Sequence, residues 1–154
     1  MDLLRQRRTS QLGEVLEVLA KLTSQQYKRE QDLEMRLNSK TLAMSEEYVR
    51  KVFGELLDNA FKFSEAGTRV RFQARVDGRR ISVAVEDEGR GMSPEQVARI
   101  GANIQFERRQ YEQQGTGMGL VIAKRLVELH RGKLYIESQP HSGTRVEVML
   151  PLSS

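Results

Sequence analysis

Three groups of residues have types and spacings suited to holding a phosphorylated ligand. The first is Glu55, Asp58, Asn59 and Lys62. On a helix turning about 100° per residue they fall in one narrow stripe. Two carboxyl groups, a carboxamide and an ammonium could hold a hydrated Mg²⁺ and phosphate oxygens, since Mg²⁺ takes hard oxygen ligands and keeps several waters. Taken alone, the stripe reads better as a solvated helix face with Asp58 paired to Lys62 one turn on. One detail weakens that reading: Asn and Asp are poor residues for a helix interior.

The second group is Asp87-Glu88-Gly89-Arg90-Gly91. Ile81, Val83 and Val85 alternate before it, and counting by twos puts Asp87 on the same apolar face. A carboxylate aimed at a core needs a donor, and the exocyclic amine of adenine would serve. Gly89 and Gly91 let the backbone turn sharply and approach a ligand closely. A plain strand-ending turn accounts for them about as well. The third group is Gly115-Thr116-Gly117-Met118-Gly119, opening a helix. Glycines there expose backbone N–H groups at the positive end of the helix dipole, where an anion can sit. It is not a P-loop, because no Gly-Lys-Ser/Thr follows, and not a dinucleotide turn, because no strand leads into it. A flexible hinge competes, and the glycines alone favour neither account. The conjunction shifts the balance: a metal-type helix, an Asp at a strand end and a glycine-rich helix start follow in order. Between the last two lies a polar segment with Arg108 and Arg109, expected to be a mobile lid that closes over a nucleotide.

These groups need elements to position them. Leu12, Val15, Leu16, Leu19 and Leu22 recur at spacings of three and four, which predicts an amphipathic helix over about 10–27. Alternation over 32–37 predicts a short strand. A helix is expected from Ser45 to about Phe63, with acidic residues in its first turn and Gly67 as terminator. Strands follow near 69–76 and 80–87, joined at Asp77-Gly78 by a hairpin. Ser93-Pro94 starts a short helix. A helix over about 117–130, with Gly132 as its C-terminal cap, leads to strands near 133–138 and 144–150. Hairpin-linked strands with amphipathic helices imply an α/β two-layer sandwich: a mixed, mostly antiparallel sheet with about three helices on one face.

Composition narrows the classes. The 154 residues suit one domain, with a core over about 10–152 and a lid over about 92–114. Hydrophobic residues at 38% and charged residues at 30% argue against disorder. No stretch reaches the ~18 apolar residues of a membrane span, and Met1-Asp2-Leu3-Leu4-Arg5 has no secretory core, so no membrane contact is expected and a cytoplasmic setting is compatible. The absence of cysteine excludes disulfides and thiolate chemistry. The net charge of +4 comes partly from Arg69, Arg71, Arg75, Arg79 and Arg80. Those on the first hairpin strand alternate with apolar residues, as the polar face of a half-buried strand does. No aromatics interleave with them to stack bases, so nucleic acid is not an expected partner.

In this order the residues resemble the catalytic ATP-binding domain of sensor histidine kinases, within the superfamily shared with gyrase, MutL and certain chaperones. Glu55-Leu-Leu-Asp-Asn59-Ala-Phe-Lys62-Phe-Ser64 looks like the N box, Asp87 to Gly91 the G1 box, Phe106 the F box, and Gly115 to Leu120 the G2 box. Ile122 to His130 and Ser142-Gly143-Thr144 fit the same branch. The resemblance implies a Bergerat-type fold, ATP and Mg²⁺ as ligands, and transfer of the γ-phosphoryl group to a histidine. Asn59 would ligate Mg²⁺ and Lys62 contact phosphates. Glu55 would act in acid/base chemistry or beside the metal. Asp87 would read the adenine amine with Thr144 helping through a water. Gly117 and Gly119, with Gly115, Thr116, Met118 and Leu120 around them, would meet the phosphate tail, and Gly89, Gly91, Arg108 and Arg109 complete the binding set.

Departures from the pattern matter too. The second aromatic usual near the F box is displaced to Tyr111, and Arg131 stands where a second glycine is common. Residues 1–45 hold no histidine, and His130 and His141 read as structural or solvent-facing. The acceptor is therefore expected on a dimerisation domain in cis or trans, with a response regulator or receiver domain as further partner and the isolated domain a monomer. The stretch from Ile100 to Gln114 resembles domains joined to an upstream receiver domain. Two rivals are an anti-sigma-type protein-serine kinase and a nucleotide-responsive interaction module without turnover.

Overall fold

The computed structural model describes residues 8–101 and 118–153. Helix α1 (Leu12–Gln26) leads through a single 3₁₀ turn to strand β1 (Leu33–Arg36). Helix α2 (Glu46–Lys62) is followed by strands β2 (Val70–Asp77) and β3 (Arg80–Asp87). Then come helix α3 (Pro94–Gly101), helix α4 (Met118–Leu129), β4 (Lys133–Ser138) and β5 (Thr144–Pro151). The strands form one sheet in the order β1-β2-β3-β5-β4. β1 runs parallel to β2, and the other pairings are antiparallel. This is the mixed, mostly antiparallel sheet the sequence predicts, with four α-helices among the described residues instead of about three.

Local chemistry explains the boundaries. Ser45 caps α2, its hydroxyl accepting the Tyr48 N–H at 3.2 Å. Ser93 and Gln96 cap α3 reciprocally: the Gln96 N–H reaches the Ser93 hydroxyl, and the Ser93 N–H reaches the Gln96 side chain. The hairpin between β2 and β3 has a two-residue loop, Gly78-Arg79, with a positive φ at Gly78 alone, the pattern of a type II′ turn. Gly67 does not terminate α2. The helix ends at Lys62, with the Phe63 N–H returning to the Asn59 carbonyl, and Gly67 sits five residues later in a turn with φ 95°.

Gly132 does take part in the cap of α4, but not at the left-handed position. His130 is the half-helical residue, Arg131 takes the left-handed conformation at φ 63°, and Gly132 donates its N–H to the Val127 carbonyl at 2.9 Å. This is a Schellman arrangement in which the strained position carries arginine. Glycine is needed at 132 because a side chain there would meet the Met149 carbonyl.

The helices bury their apolar stripes on one face of the sheet. Val49, Val52, Phe53, Leu56, Leu57, Ala60 and Phe61 of α2 pack with Val70 and Phe72 of β2, Ile81, Val83 and Val85 of β3, and Val146, Val148 and Leu150 of β5. Burying each of the large side chains contributes about 1.5–3 kcal/mol. The opposite face carries charge in register. Glu34, Arg71, Glu86, Arg145 and Glu137 lie side by side across the five strands, alternating in sign. Arg71 reaches Glu34 at 3.4 Å and Arg145 reaches Glu86 at 3.3 Å. The arginines read as a polar strand face have their counter-charges on the neighbouring strands.

Candidate functional site

At one end of the sandwich, where α2 crosses β3 and β5, lies a narrow cavity of about 50 Å³, room for a few waters. Leu56, Asn59, Ala60 and Phe63 of α2 and the turn after it line one side. Val85 and Asp87 of β3 and Thr144 and Val146 of β5 form the floor. Arg90, Gly91, Met92, Gln96 and Leu120 close it. One cavity therefore collects Asn59 from the first group, Asp87, Arg90 and Gly91 from the second, and Leu120, the residue that follows the third. A larger cleft, about 680 Å³, opens beside it over the charged sheet face. Its walls include the ion-paired arginines and glutamates, and Asp87 and Thr144 border it as well, but neither Asn59 nor Leu120 reaches it, so the narrow cavity, which joins all four, is the better candidate.

Asp87 holds the key electrostatics. Burial raises its carboxyl to about 6 from 3.8, against the opposing pull of the Gly89 and Thr144 backbones and the more distant Arg29 charge. Its Oδ1 accepts the Gly89 N–H at 2.8 Å, which leaves the other oxygen able to accept a further donor. Thr144 stands opposite Asp87 in the β3–β5 register, and its hydroxyl lies 2.8 Å from that of Ser138. Ser138 also accepts the Met92 N–H at 2.7 Å and donates to the Gly143 carbonyl. One serine, not singled out in the sequence, thus ties the loop after Asp87 to the turn before Thr144. Its place at the end of β4 was the only signal available.

That loop is tight. Gly91 has φ 72°, and a Cβ there would lie 1.8 Å from the Gln139 carbonyl oxygen, so no other residue fits. The Arg90 N–H donates to the Phe63 carbonyl at 3.3 Å, and the Arg90 guanidinium lies 4.3 Å from the centre of the Phe63 ring. Glu55 faces the start of α4: a Cβ on Gly119 would come within 2.0 Å of its Oε2. Glu55 also pairs with Lys51 at 2.9 Å. Asp58 accepts the Tyr27 hydroxyl at 2.5 Å, a partner not expected from the sequence. Lys62 is exposed on the last turn of α2. Phe106, Arg108, Arg109, Gly115, Thr116 and Gly117 lie outside the described residues, as does most of the lid. His130 is structural: its Nδ1 lies 2.7 Å from the Leu126 carbonyl and its ring packs edge-on against Tyr48.

Comparison with known proteins bears on this arrangement. Residues 44–154 match the family described as histidine kinase-, DNA gyrase B- and HSP90-like ATPase. The chain belongs to this ATPase family. Among its relatives are the alginate biosynthesis sensor protein KinB of Pseudomonas aeruginosa, 36% identical over 105 residues, and the sensor histidine kinase YvrG of Bacillus subtilis, 32% identical over 113 residues. These matches take in 68% and 70% of the chain but only 17% and 19% of the relatives. The chain thus spans less than a fifth of the length of these larger proteins. A mycobacterial sensor histidine kinase, MprB, shares the fold with a TM-score of 0.75, 24% identity and coverage of 96% of this chain and 97% of that one. Membership of the ATPase family makes ATP the ligand to consider for the cavity. Among the described residues no helix is long and apolar enough to cross a membrane.

Proposed function

We propose that the chain is the ATP-binding catalytic domain of a two-component histidine kinase, passing the γ-phosphoryl group to a histidine outside residues 1–154. The observation that carries this reading is the single cavity that brings Asp87 together with Asn59 and Leu120. Asp87 accepts the adenine amine with the oxygen not bonded to Gly89, and Thr144 orders a water beside it. The apolar walls Val85, Val146 and Leu120 take the base. Gly119 and the preceding glycines offer N–H groups to the phosphates, with Lys62, Arg108 and Arg109 supplying positive charge.

The donor set also fits Mg²⁺. Asn59 lines the cavity and offers a hard neutral oxygen there. That suits an ion held largely by phosphates and water with few protein ligands. Asn59 would hold it, with Glu55 nearby on the same helix face. When bound, the ion neutralises charge on the phosphates. The chain's own task is positioning and charge stabilisation. The acceptor imidazole nitrogen attacks the γ-phosphorus, its bond to the ADP oxygen breaks, and the imidazole proton is lost. Glu55, held by Lys51, is assigned to take that proton or to act beside the ion.

The partner in this reaction is a histidine-bearing dimerisation domain in cis or trans, and a receiver domain accepts the phosphoryl group next. The test is to incubate the chain and ATP with a histidine-bearing helical domain from a related kinase. Acid-labile phosphate on that domain supports the reading. Acid-stable phosphate on a partner protein would instead point to a serine kinase, and ATP binding without any transfer or ADP release would leave an interaction module.

A further inference from the structure

Arg29 is a buried cation outside the set of residues that line the cavity, with only 4% of its surface exposed. Both of its terminal nitrogens are directed at the end of α2 and the turn after it. Nη1 donates to the Phe61 carbonyl at 2.9 Å and to both the carbonyl and hydroxyl of Ser64. Nη2 donates to the Glu65 carbonyl at 2.8 Å and the Thr68 carbonyl at 3.0 Å. Nε meets Asp32 Oδ2 at 2.7 Å, and that same oxygen accepts the Gly67 N–H. The guanidinium also holds the Asp32 carboxyl below its ordinary range, with the Gly67 N–H assisting.

Tyr27 grips the same helix one turn earlier. Its hydroxyl donates to Asp58, next to Asn59, and its ring stacks on Phe61 at 5.8 Å. The chain reaches these positions because α1 ends in a Schellman turn. Lys28 is left-handed at φ 56°, and the Arg29 N–H returns to the Ser24 carbonyl. That turn swings Arg29 inward.

We propose that residues Tyr27–Asp32 form a clasp that sets the Asn59 end of α2 against the Asp87 loop, with Arg29 as the positioning residue. The proposal rests on the nucleotide reading of the cavity. The physical case has two parts. First, burying a guanidinium costs several kcal/mol, and apolar residues of similar volume often hold a fold as well. A planar fork is useful where several carbonyls of an irregular turn must be fixed at once. Second, the clamped turn carries the site. The Phe61 and Ser64 carbonyls bracket Lys62 and Phe63. The Phe63 carbonyl in turn receives the Arg90 N–H and abuts Gly89, whose own N–H is the one Asp87 uses. A shift of the turn therefore moves Asn59, Lys62 and the Asp87 loop together.

The test is equilibrium binding of a fluorescent ATP analogue, with and without Mg²⁺, to the whole chain and its Arg29→Lys and Tyr27→Phe variants. Circular dichroism establishes that each variant is folded at the assay temperature. Lysine keeps the charge but loses the fork, so folded Arg29→Lys should bind at least about fivefold more weakly, as expected when a site is loosened by about an ångström. Tyr27→Phe keeps the ring stack and frees Asp58, so its loss of about threefold or more should appear with Mg²⁺ and not without it. Folded Arg29→Lys binding within less than fivefold of wild type overturns the clasp. If Arg29→Lys does not fold, an unchanged Mg²⁺ dependence in Tyr27→Phe overturns it. If the wild-type chain binds no nucleotide, the reading of the cavity falls, and the clasp's role with it.

Discussion

Asp87→Asn should make the ligand-free chain more stable while removing its affinity for nucleotide. The carboxyl rises to about 6 from 3.8 chiefly because it is buried. Between those values the folded chain holds a proton that the unfolded chain has released. Stability from this group is present in acid and is lost as pH rises through about 6. At about 1.4 kcal/mol per pH unit the gap amounts to about 3 kcal/mol, and partial access of solvent to the carboxylate brings this nearer 2 kcal/mol. Asparagine keeps the acceptor for the Gly89 N–H and sheds the charge. It also turns an amide N–H toward the cavity, donor against donor for an adenine amine. The assay is urea unfolding of both chains from pH 5 to pH 8. The advantage of the variant should grow by about 1 kcal/mol between pH 5 and pH 7 and then level off, and nucleotide binding should fall more than about tenfold. A variant less stable than wild type at pH 7.5, or an advantage that does not change with pH, would refute the argument from burial.

Three further outcomes follow from the same geometry. Nucleotide affinity of the wild-type chain should weaken as pH falls below about 6, approaching tenfold per pH unit, because the adenine amine needs the ionised carboxylate; titration calorimetry across pH 5–8 reads this directly. Arg131→Gly should raise stability by about 1 kcal/mol in thermal or urea unfolding and leave binding unchanged, since it relieves a left-handed arginine at φ 63° on the far end of α4. Gly119→Ala should cost less than about 1 kcal/mol of stability, because the intruding methyl meets only the flexible end of Glu55; phosphoryl transfer should nonetheless drop, as the displaced carboxylate leaves its place beside α4.

Much of this was legible in the chain, for physical reasons. The α2 stripe from Val49 to Phe61 repeats every three or four residues, and all of it is buried. The aim of Asp87 followed from counting by twos along Ile81, Val83 and Val85, and the residue does line the cavity below them. What could not be read depends on long-range register. The arginine alternation in β2 marked a solvent face, but its balance by Glu34 and Glu86 appears only once β1 and β3 are set beside β2. The parallel pairing of β1 with β2 has no local code. Nothing in Tyr27-Lys28-Arg29 announces burial, because the backbone acceptors of Arg29 are carbonyls 32 to 39 residues away. Gly132 does cap α4 through its N–H, but the left-handed position falls one residue earlier on Arg131, and Gly67 turns the chain beyond the end of α2 instead of terminating it.

The central claim is that Asn59 and Asp87 share one nucleotide site. Titration of the whole chain with a fluorescent ATP analogue, with and without Mg²⁺, tests it most directly when Asn59→Ala is run beside wild type. The account predicts saturation below about 1 mM nucleotide, strengthened by Mg²⁺ in the wild type and indifferent to Mg²⁺ in the variant. Equal binding by both chains, with the same response to Mg²⁺, would contradict it.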